Sequence, residues 1–440
     1  MASPQTKRVL IILYYWPPSG GGGVQRWLKF AKYLPFNGWE PIVFAPADAD
    51  YPIIDETLEQ EVPPDLTVIK HPIWEPYRAY QKFTGNEKGA NVNEVLAGGS
   101  GKQSLKERAA VWVRGNLFIP DARTFWVKPS AKFLRQYLSE NPVDIIVTTG
   151  PPHSVHLIGR TLQRKTGIPW VADFRDPWTG IEYYDDLKLT KRADAKHRRL
   201  EGSVVSEANA IVAVGPTWAK ELGDLGAAKT LVATNGYDED DFVAEAPPLD
   251  AQFTLAHLGT LAVDRDAPTL WKALQLLSDE IPGFVDDLKI ELIGKTDPAV
   301  LESITNHGLG PNLMYIGYVS HADAVAKMRS AQVLLLLINN VASNAVGRLT
   351  GKIFEYLAAK RPIVCIGPAA GDPNDVLAET GGGAVCEFND LEMTKQVIRK
   401  HYEAYKAGNL QVNSRHVEQF SRRNLTAKLS AFLDDVIETG

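Results

Sequence analysis

Two charged residues in the second half of the chain have a spacing that suits a nucleotide site. Lys352 and Glu355 are three positions apart, so they share one face of a helix near its start. Thr350 or Gly351 can serve as the N-cap, which places the lysine beside the unpaired N–H groups of the first turn. These groups could hold a diphosphate, and the carboxylate one turn further on could accept hydrogen bonds from two ribose hydroxyls. The alternative is an ion pair on the surface.

Two turns that follow predicted strands favour the same ligand. Gly259 and Thr260 follow the first strand of the second half, and Arg265 lies in the next loop, where it could reach a phosphate. Tyr318 and Val319 follow a later strand, and an aromatic ring beside exposed backbone could hold a flat base. Simple packing of Tyr318 is the alternative.

Four consecutive glycines follow the first predicted strand and precede a helix. Gly20, Gly21, Gly22 and Gly23 would lie at the carboxyl edge of a sheet, where α/β proteins bind anions and other ligands. The run matches neither the dinucleotide pattern GxGxxG nor the P-loop pattern. Four glycines are costly in chain entropy, which favours a ligand-related or mobile role over a plain turn.

Polar side chains end two strands of the first half. Arg175 stands between Asp173 and Asp176 and could form a fixed ion-pair network that orients one carboxylate. Asp173 or Asp176 could then stabilise positive charge or position a hydroxyl, and a structural salt bridge is the alternative. His153 follows the other strand, either as a polar contact in the same site or as a hydrogen-bonded edge histidine.

The order of apolar segments indicates the elements that must position these residues. Continuous apolar strands separated by helix-length segments predict parallel sheets covered on both faces. Two such series, with a break around residues 235–250, predict an α/β fold of two doubly wound domains, 1–235 and 236–420. Residues from about 80 to 108 are interpreted as an insertion, and residues 421–440 as a final helix whose apolar stripe needs a partner. Strands are predicted at 9–13, 41–44, 67–69, 145–148, 170–172, 210–213 and 230–233, and then at 254–257, 289–293, 314–316, 333–337, 363–366 and 383–386.

The composition excludes several classes of protein. The 440 residues carry a net charge of −6, whereas duplex-binding proteins usually carry a basic surplus, so nucleic acid is disfavoured as a partner. The 2 cysteines are too few for a disulfide framework or a zinc cluster and fit a reducing cytoplasm. The longest apolar run, 333–338, is far shorter than the roughly 18 residues that a membrane span needs. We interpret the N-terminal apolar residues as a strand rather than a signal peptide.

Two segments have the composition of surfaces that lie on a membrane. The helix Gln25–Leu34 and the stretch Ala110–Val127 mix Trp, Phe, Arg and Lys, which favours a peripheral contact. In the first segment Arg26, Lys29 and Lys32 are expected to lie off the apolar side. A helix that simply faces the core is the alternative.

These segments, taken in order, resemble the GT-B glycosyltransferases of the large retaining family 4, also called group 1. The resemblance covers nearly the whole chain, and it is strongest to bacterial surface-polysaccharide members, which contain segments like 114–116 and 120–123. It implies two Rossmann-like domains that face an interdomain cleft, with the helix at 421–440 crossing back onto the N-terminal domain. The segments that carry it are Trp16 with the glycine run, 173–178, 235–238 and 352–357.

The resemblance implies the transfer of a sugar from a nucleoside-diphosphate sugar to a glycan or lipid-linked glycan. This is a hexosyltransferase-type reaction that uses no metal and no cofactor, and it retains the anomeric configuration. Arg265 and Lys352 would contact the diphosphate, and Glu355 would hold the ribose as the second glutamate of a Glu-x7-Glu motif. The expected donor-binding residues are Gly21, Gly22, Gly23, Gly259, Thr260, Arg265, Tyr318, Val319, Gly351, Lys352 and Glu355.

The resemblance also implies roles for the first domain. This domain would bind the acceptor through Trp16, His153 and Arg175. The expected catalytic residues are Asp173, Asp176, Arg265 and Lys352. The protein would work in cell-surface polysaccharide biosynthesis, in the cytoplasm or at the cytoplasmic face of the inner membrane.

Three positions depart from the family pattern. The first glutamate of the motif would fall at Gly347, a usual arginine is Thr260, and a frequent histidine before Asp173 is Ala172. Two alternatives therefore stay open: a nucleotide-sugar 2-epimerase on the same scaffold, and a catalytically impaired protein that binds nucleotide-sugars.

Overall fold

The computed structural model describes residues 6–75, 105–340 and 345–439, without the side chains of residues 105–107 and 110. The chain divides into two compact units, one formed by residues 1–234 and 422–440 and the other by residues 235–421. The predicted insertion lies mostly outside the described residues, and its last few residues belong to a helix that begins at Leu105. Among the described helices, none is long and apolar enough to cross a bilayer.

In the described part of the first unit, seven parallel strands form one sheet in the order β3-β2-β1-β4-β5-β6-β7. The central strands are continuous apolar runs because both faces are covered, and every residue of β4 and β5 is buried. The strand order changes direction between β1 and β4, which is where ligands bind in such sheets. The strands are β1 (Lys7–Ile12), β2 (Trp39–Pro46), β3 (Thr67–His71), β4 (Ile145–Gly150), β5 (Trp170–Phe174), β6 (Ala210–Ala213) and β7 (Thr230–Val232).

The first helix of this unit is buried on nearly every side. Arg26 is 0% exposed and Lys29 is 6% exposed, so the prediction that they lie off the buried side is wrong. Arg26 is neutralised by a buried carboxylate and Lys29 by Glu61 at 2.7 Å, and pairing of this kind makes buried charge tolerable. This helix therefore offers no surface for a membrane. The helices are α1 (Gly22–Tyr33), α2 (Leu105–Leu117), α3 (Thr124–Glu140), α4 (Ser154–Thr166), α5 (Lys191–Glu207) and α6 (Pro216–Asp224).

In the described part of the second unit, six parallel strands form a sheet in the order β10-β9-β8-β11-β12-β13. With the first sheet, it confirms the predicted α/β fold and all the predicted strands. Its strands are β8 (Phe253–Leu258), β9 (Leu288–Ile293), β10 (Leu313–Ile316), β11 (Val333–Leu337), β12 (Ile363–Ile366) and β13 (Gly383–Cys386). Its helices are α7 (Pro268–Glu280), α8 (Phe284–Asp287), α9 (Pro298–Asn306), α10 (His321–Ser330), α11 (Gly351–Ala358), α12 (Asp372–Thr380) and α13 (Leu391–Lys406).

The last helix, α14 (Arg422–Thr439), belongs to the first unit although it follows the second unit in the chain. Leu425, Leu429, Leu433 and Val436 recur at helical spacing and are buried in one apolar cluster with residues of α1, β1 and β2. Burial of each such side chain contributes roughly 1.5–3 kcal/mol. Lys428 adds a hydrogen bond from its ammonium to the carbonyl of Val232 at 3.0 Å. The expected return of this helix to the first unit is confirmed.

Candidate functional site

Two glycine turns at the carboxyl edge of the second sheet make room for a lysine. Gly259 follows β8 with a φ of 101°, and Gly294 follows β9 with a φ of 113°, a conformation that favours glycine. A Cβ on Gly294 would lie 2.7 Å from the carbonyl oxygen of Gly259, so the two turns are in contact. A Cβ on Gly259 would lie 2.5 Å from Cε and 2.6 Å from Nζ of Lys352. The lysine ammonium therefore lies directly against the backbone of Gly259.

A second cation lies near this lysine. Burial, and then the positive charge of Arg265, lower the pKa of Lys352 to about 8, against the opposing effect of the Glu355 carboxylate. Arg265 ends a 3-10 turn (Val263–Arg265), and its Nη1 donates a hydrogen bond to the carbonyl of Thr260 at 3.3 Å. Because the two cations repel each other, an anion bound between them would stabilise both charges. The structure thus brings together Gly259, Thr260, Arg265 and Lys352.

Helix α11 begins beside this lysine without a side-chain cap. Thr350 is the N-cap residue, one of the two that the sequence predicts, but its side chain accepts no hydrogen bond from the first turn. Its Oγ1 is buried and has no hydrogen-bond partner among the described residues. The positive end of the helix, which starts at Gly351, is therefore not neutralised by a capping oxygen and can bind an anion. Glu355 lies one turn further on and is half-buried.

The far side of α11 fixes the helix to the sheet. Ile353, Phe354 and Leu357 are buried. Tyr356 is also fully buried, and its hydroxyl accepts a hydrogen bond from the backbone N–H of Leu258 at 3.0 Å, which joins α11 to the end of β8. Tyr356 was not predicted as part of this edge, because a tyrosine beside a charged pair looks like a surface residue.

Asn339 is a further residue of this edge that the sequence analysis missed. It follows β11, which lies between β8 and β12 in the sheet. Its side chain is fully buried, and neither its Oδ1 nor its Nδ2 has a hydrogen-bond partner among the described residues. The next residue, Asn340, donates its backbone N–H to the carbonyl of Asp264 at 3.0 Å, which ties this segment to the turn that carries Arg265. A buried amide without partners is costly, and a polar ligand group would relieve that cost.

The segment after β10 presents its aromatic residue to solvent. Tyr318 is 85% exposed, so its ring is not a packing element of the core. The segment is held to the neighbouring turn because Gly294 donates its backbone N–H to the carbonyls of Ile316 at 2.9 Å and Gly317 at 3.1 Å. Val319 is half-buried in the same segment. Contact of Tyr318 or Val319 with a base stays a prediction.

The glycine run of the first unit lies at the start of α1. Gly21 is the N-cap residue with a φ of 93°, and a Cβ on Gly21 or Gly22 would meet nothing within 4 Å. A Cβ on Gly23 would collide with the guanidinium of Arg175, whose Nη1 donates to the carbonyl of Gly23 at 2.9 Å. Gly21 and Gly22 are exposed, so the run leaves an open helix start at the predicted ligand edge.

Asp173 is completely buried and held by three side chains. Its carboxylate accepts hydrogen bonds from Arg26 Nη2 at 2.8 Å, from Trp27 Nε1 at 2.7 Å and from Thr149 Oγ1 at 2.7 Å. The predicted network of Arg175 between two aspartates is wrong in this respect, because Arg26 is the ion-pair partner of Asp173. With both carboxylate oxygens bonded and no exposure, Asp173 holds α1 onto β5 and does not contact a ligand in this conformation.

Arg175 binds backbone carbonyls instead. Its side chain donates to the carbonyls of Gly23, Gly150 and Pro151 and so connects the glycine run to the end of β4. Burial lowers the pKa of Arg175, and the nearby carboxylate of Asp176 is the largest opposing effect. Arg175 therefore positions two loops of the predicted acceptor edge.

Two other predicted acceptor residues differ in exposure. Trp16 is 2% exposed and packs in the core, so its predicted contact with an acceptor is corrected to a structural role. His153 is half-buried and stacks on Trp178, with ring centroids 4.9 Å apart and an angle of 6° between the rings. Burial lowers the pKa of His153 well below its ordinary value, and the positive charge of Arg175 adds to this, so the ring is neutral at pH 7.

Asp176 borders a cavity, unlike Asp173. The cavity of about 280 Å³ lies within the first unit, beyond the end of β5. Glu201, Trp218 and Glu221 also line it, so it combines carboxylates with an aromatic wall. Both carboxylate oxygens of Glu201 already accept hydrogen bonds from Thr179, whereas Asp176 could accept one from a ligand hydroxyl here. In the described part of the chain, no group of three or more His, Cys, Asp or Glu residues could hold a metal ion.

The fold and this edge define the class of protein: a GT-B architecture of two parallel Rossmann-like units, with a cationic, glycine-lined edge on the second unit. Residues 21–237 match the family model described as the glycosyl transferase 4-like domain. The resemblance to GT-B glycosyltransferases of the family 4 type is thereby confirmed.

Solved structures with the same fold cover nearly the whole length of the chain. A glycosyltransferase from Rickettsia africae is 16% identical, with 99% of this chain and 100% of that chain covered and a TM-score of 0.64. Sucrose-phosphate synthase from Thermosynechococcus elongatus is 14% identical, with 99% and 100% covered and a TM-score of 0.65. Anabaena HepE, solved in complex with UDP-glucose, is 14% identical, with 97% and 99% covered and a TM-score of 0.60. No curated protein matches the sequence.

Proposed function

We propose that this protein transfers a sugar from a nucleoside-diphosphate sugar, bound by the second unit, to a hydroxyl of a glycan or lipid-linked glycan. In the reaction the bond between the sugar C1 and the phosphate oxygen breaks, and a bond between C1 and the acceptor oxygen forms. The acceptor proton leaves, and the nucleoside diphosphate is released. The anomeric configuration is retained, and no metal or cofactor takes part.

One observation carries this proposal: the Lys352 ammonium lies against the Gly259 backbone, near Arg265 and the uncapped start of α11. Departure of the leaving group develops negative charge on the diphosphate, and these positive groups would stabilise it in place. Glu355, one turn further on, would accept hydrogen bonds from the ribose. The UDP-glucose complex of HepE, a protein with the same fold, supports a donor of this class.

The first unit would bind the acceptor. His153, neutral and half-buried, and Asp176, at the cavity, would be the polar contacts, while Asp173 and Arg175 act as positioning residues. The protein would work in the cytoplasm or at the cytoplasmic face of a membrane, in the synthesis of surface polysaccharide. A lipid-linked acceptor would suit this location.

A panel of UDP-, GDP-, dTDP- and ADP-sugars tests the donor site by thermal shift and calorimetry. One nucleotide class should raise the melting temperature, because a ligand that binds only the folded state stabilises it. Lys352→Ala should weaken its binding by about 10- to 100-fold, the worth of a charge-assisted hydrogen bond, and Glu355→Ala should also weaken it. Lys272→Ala, an exposed lysine on α7, is the matched control and should bind as the wild type does. Unchanged affinity in Lys352→Ala would refute the assigned site.

Product analysis with and without an acceptor separates the reaction classes. A glycosyltransferase should leave the donor sugar unchanged, apart from slow hydrolysis, until an acceptor glycan is added. Epimerised donor in the absence of acceptor would overturn the proposal in favour of a 2-epimerase. Tight donor binding with no hydrolysis and no transfer to any acceptor would overturn it in favour of a binding protein.

A further inference from the structure

Helix α3 presents an aromatic and basic face to solvent. Phe125 is 45% exposed and Phe133 is 39% exposed, with the exposed side chains of Lys128, Pro129 and Lys132 between them. Positions 125, 128, 129, 132 and 133 recur at three- and four-residue steps, so they form one face of the helix. The opposite face, which includes Trp126 and Leu134, is buried in the core. Phe133 also packs against the rings of Phe44 and His71, at centroid distances of 6.0 and 5.0 Å, yet it keeps over a third of its surface in solvent.

Neighbouring segments extend this face into a continuous aromatic surface. Trp74 is 58% exposed, and its ring packs edge-on against Phe125 with centroids 4.9 Å apart. The ring of Phe118 also packs edge-on against Phe125, with centroids 5.9 Å apart, and Leu117 beside it is 62% exposed. Contiguous exposed apolar surface of this kind marks an interaction site. We call this set, Trp74, Leu117, Phe118, Phe125 and Phe133 with Lys128 and Lys132, the α3 patch.

The charge of the α3 patch is opposite to that of the chain. The whole protein carries a net charge of −6, yet α3 contains no Asp or Glu before its last residue, Glu140. Lys128, Lys132 and Arg135 are exposed on it, and within the described residues they form no ion pair. A basic face with Trp and Phe at its surface matches an anionic membrane, where the rings enter the interface and the lysines meet lipid phosphates.

We propose that the α3 patch docks the protein on an anionic lipid bilayer. The aromatic rings and the lysines lie on the same surface of one unit, so they can contact a flat bilayer together. The proposal rests on the proposed function in one respect: a lipid-linked acceptor would be presented at such a bilayer. The contact with the bilayer itself depends only on the residues of the α3 patch.

Co-sedimentation of the full chain with vesicles tests the docking. Vesicles of phosphatidylcholine with phosphatidylglycerol should bind the protein, pure phosphatidylcholine should bind it much less, and high salt should weaken the binding. Lys128→Glu with Lys132→Glu should lower the vesicle affinity by about tenfold or more. Trp74→Ser with Phe125→Ser should lower it as well, at either salt concentration.

Matched controls lie elsewhere on the same unit. Phe36, which is 78% exposed, and Lys165, which is exposed near the end of α4, lie outside the α3 patch. Phe36→Ser and Lys165→Glu should leave vesicle binding at the wild-type level. Equal loss in these controls, no binding to anionic vesicles, or wild-type binding by both patch variants would overturn the proposal. Self-association in light scattering that the patch variants abolish, without vesicle binding, would assign the patch to a second copy instead.

Nucleotide binding, measured on the same samples, keeps this proposal separate from the proposed function. The patch variants should bind the nucleotide as the wild type does, which also shows that they are folded. Lys352→Ala should lose nucleotide affinity and keep vesicle binding. Loss of vesicle binding in Lys352→Ala would contradict a contact made by the α3 patch alone.

Discussion

Replacing Gly259 by alanine tests whether the contact between its backbone and Lys352 is part of a binding site. The φ of Gly259 is 101°, and an alanine in this left-handed region costs about 1–2 kcal/mol of stability. The new Cβ would also lie 2.5 Å from Cε and 2.6 Å from Nζ of Lys352, closer than atoms can approach. Because a lysine side chain is flexible, it would move aside at little further cost in stability.

The displacement of the lysine should appear in ligand binding rather than in folding. An ammonium that no longer lies over the turn loses its charge-assisted hydrogen bonds to a diphosphate, each worth about 1.5–3 kcal/mol. We therefore expect Gly259→Ala to weaken nucleoside-diphosphate binding at least about tenfold. Gly283→Ala is the matched control, because Gly283 has a φ of 79° and a Cβ there would meet nothing within 4 Å. Both variants should lose similar stability in urea unfolding.

Calorimetry on a double-mutant cycle measures the coupling between Gly259 and Lys352. In a Lys352→Ala background, the additional substitution Gly259→Ala should change nucleotide affinity little, because the displaced group is already absent. The reasoning is refuted if Gly259→Ala binds the nucleotide as well as Gly283→Ala does. It is also refuted if Gly259→Ala causes the same loss whether or not Lys352 is present.

Three other substitutions give independent results. Lys352→Met should raise the melting temperature at pH 7. Between about pH 8 and 10.5 only the unfolded wild-type chain keeps the Lys352 proton, so wild-type stability rises there and the stability of the variant relative to wild type should fall. A pH-independent difference in urea unfolding would contradict this. Asn339→Leu removes a buried amide that has no partner among the described residues, so the free energy of unfolding should stay equal or rise. A loss above about 1 kcal/mol would show that the amide makes hydrogen bonds in the folded protein. Asp173→Ala leaves Arg26 buried without its carboxylate and should cost about 3–5 kcal/mol in urea unfolding; normal stability with lost transfer would make Asp173 a catalytic residue.

The fold could be predicted because its signals are local. A run such as Val333–Leu337 is apolar throughout since the strand is covered on both faces, and the alternation with helices then fixes a parallel sheet. The return of α14 was expected from the family resemblance, and its stripe of Leu425, Leu429 and Leu433 only required some partner. The start of α11 was predicted because its signals are also local: its N-cap residue and its apolar residues lie within one turn of each other.

The site was predicted less completely because its contacts join distant residues. Arg26 has the position of a surface cation on the helical pattern of α1, and its partner, Asp173, lies 147 positions further along the chain. Trp16 stands beside the glycine run in sequence, yet its side chain turns into the core. The contact of Gly259 with Lys352 depends on a positive φ that no spacing rule reveals. Asn339 gave only a weak signal, as a polar residue directly after a buried strand.

The late position of α14 in the chain has a consequence for the synthesis of the protein. The apolar surface of the first unit that Leu425, Leu429 and Leu433 cover stays exposed until the ribosome has synthesised the entire second unit. A fragment that ends at residue 234 lacks α14, so this apolar surface stays exposed and the fragment should aggregate. An expression fragment of the first unit therefore needs α14 supplied, by a short linker from residue 234 to residue 422 or as a separate peptide.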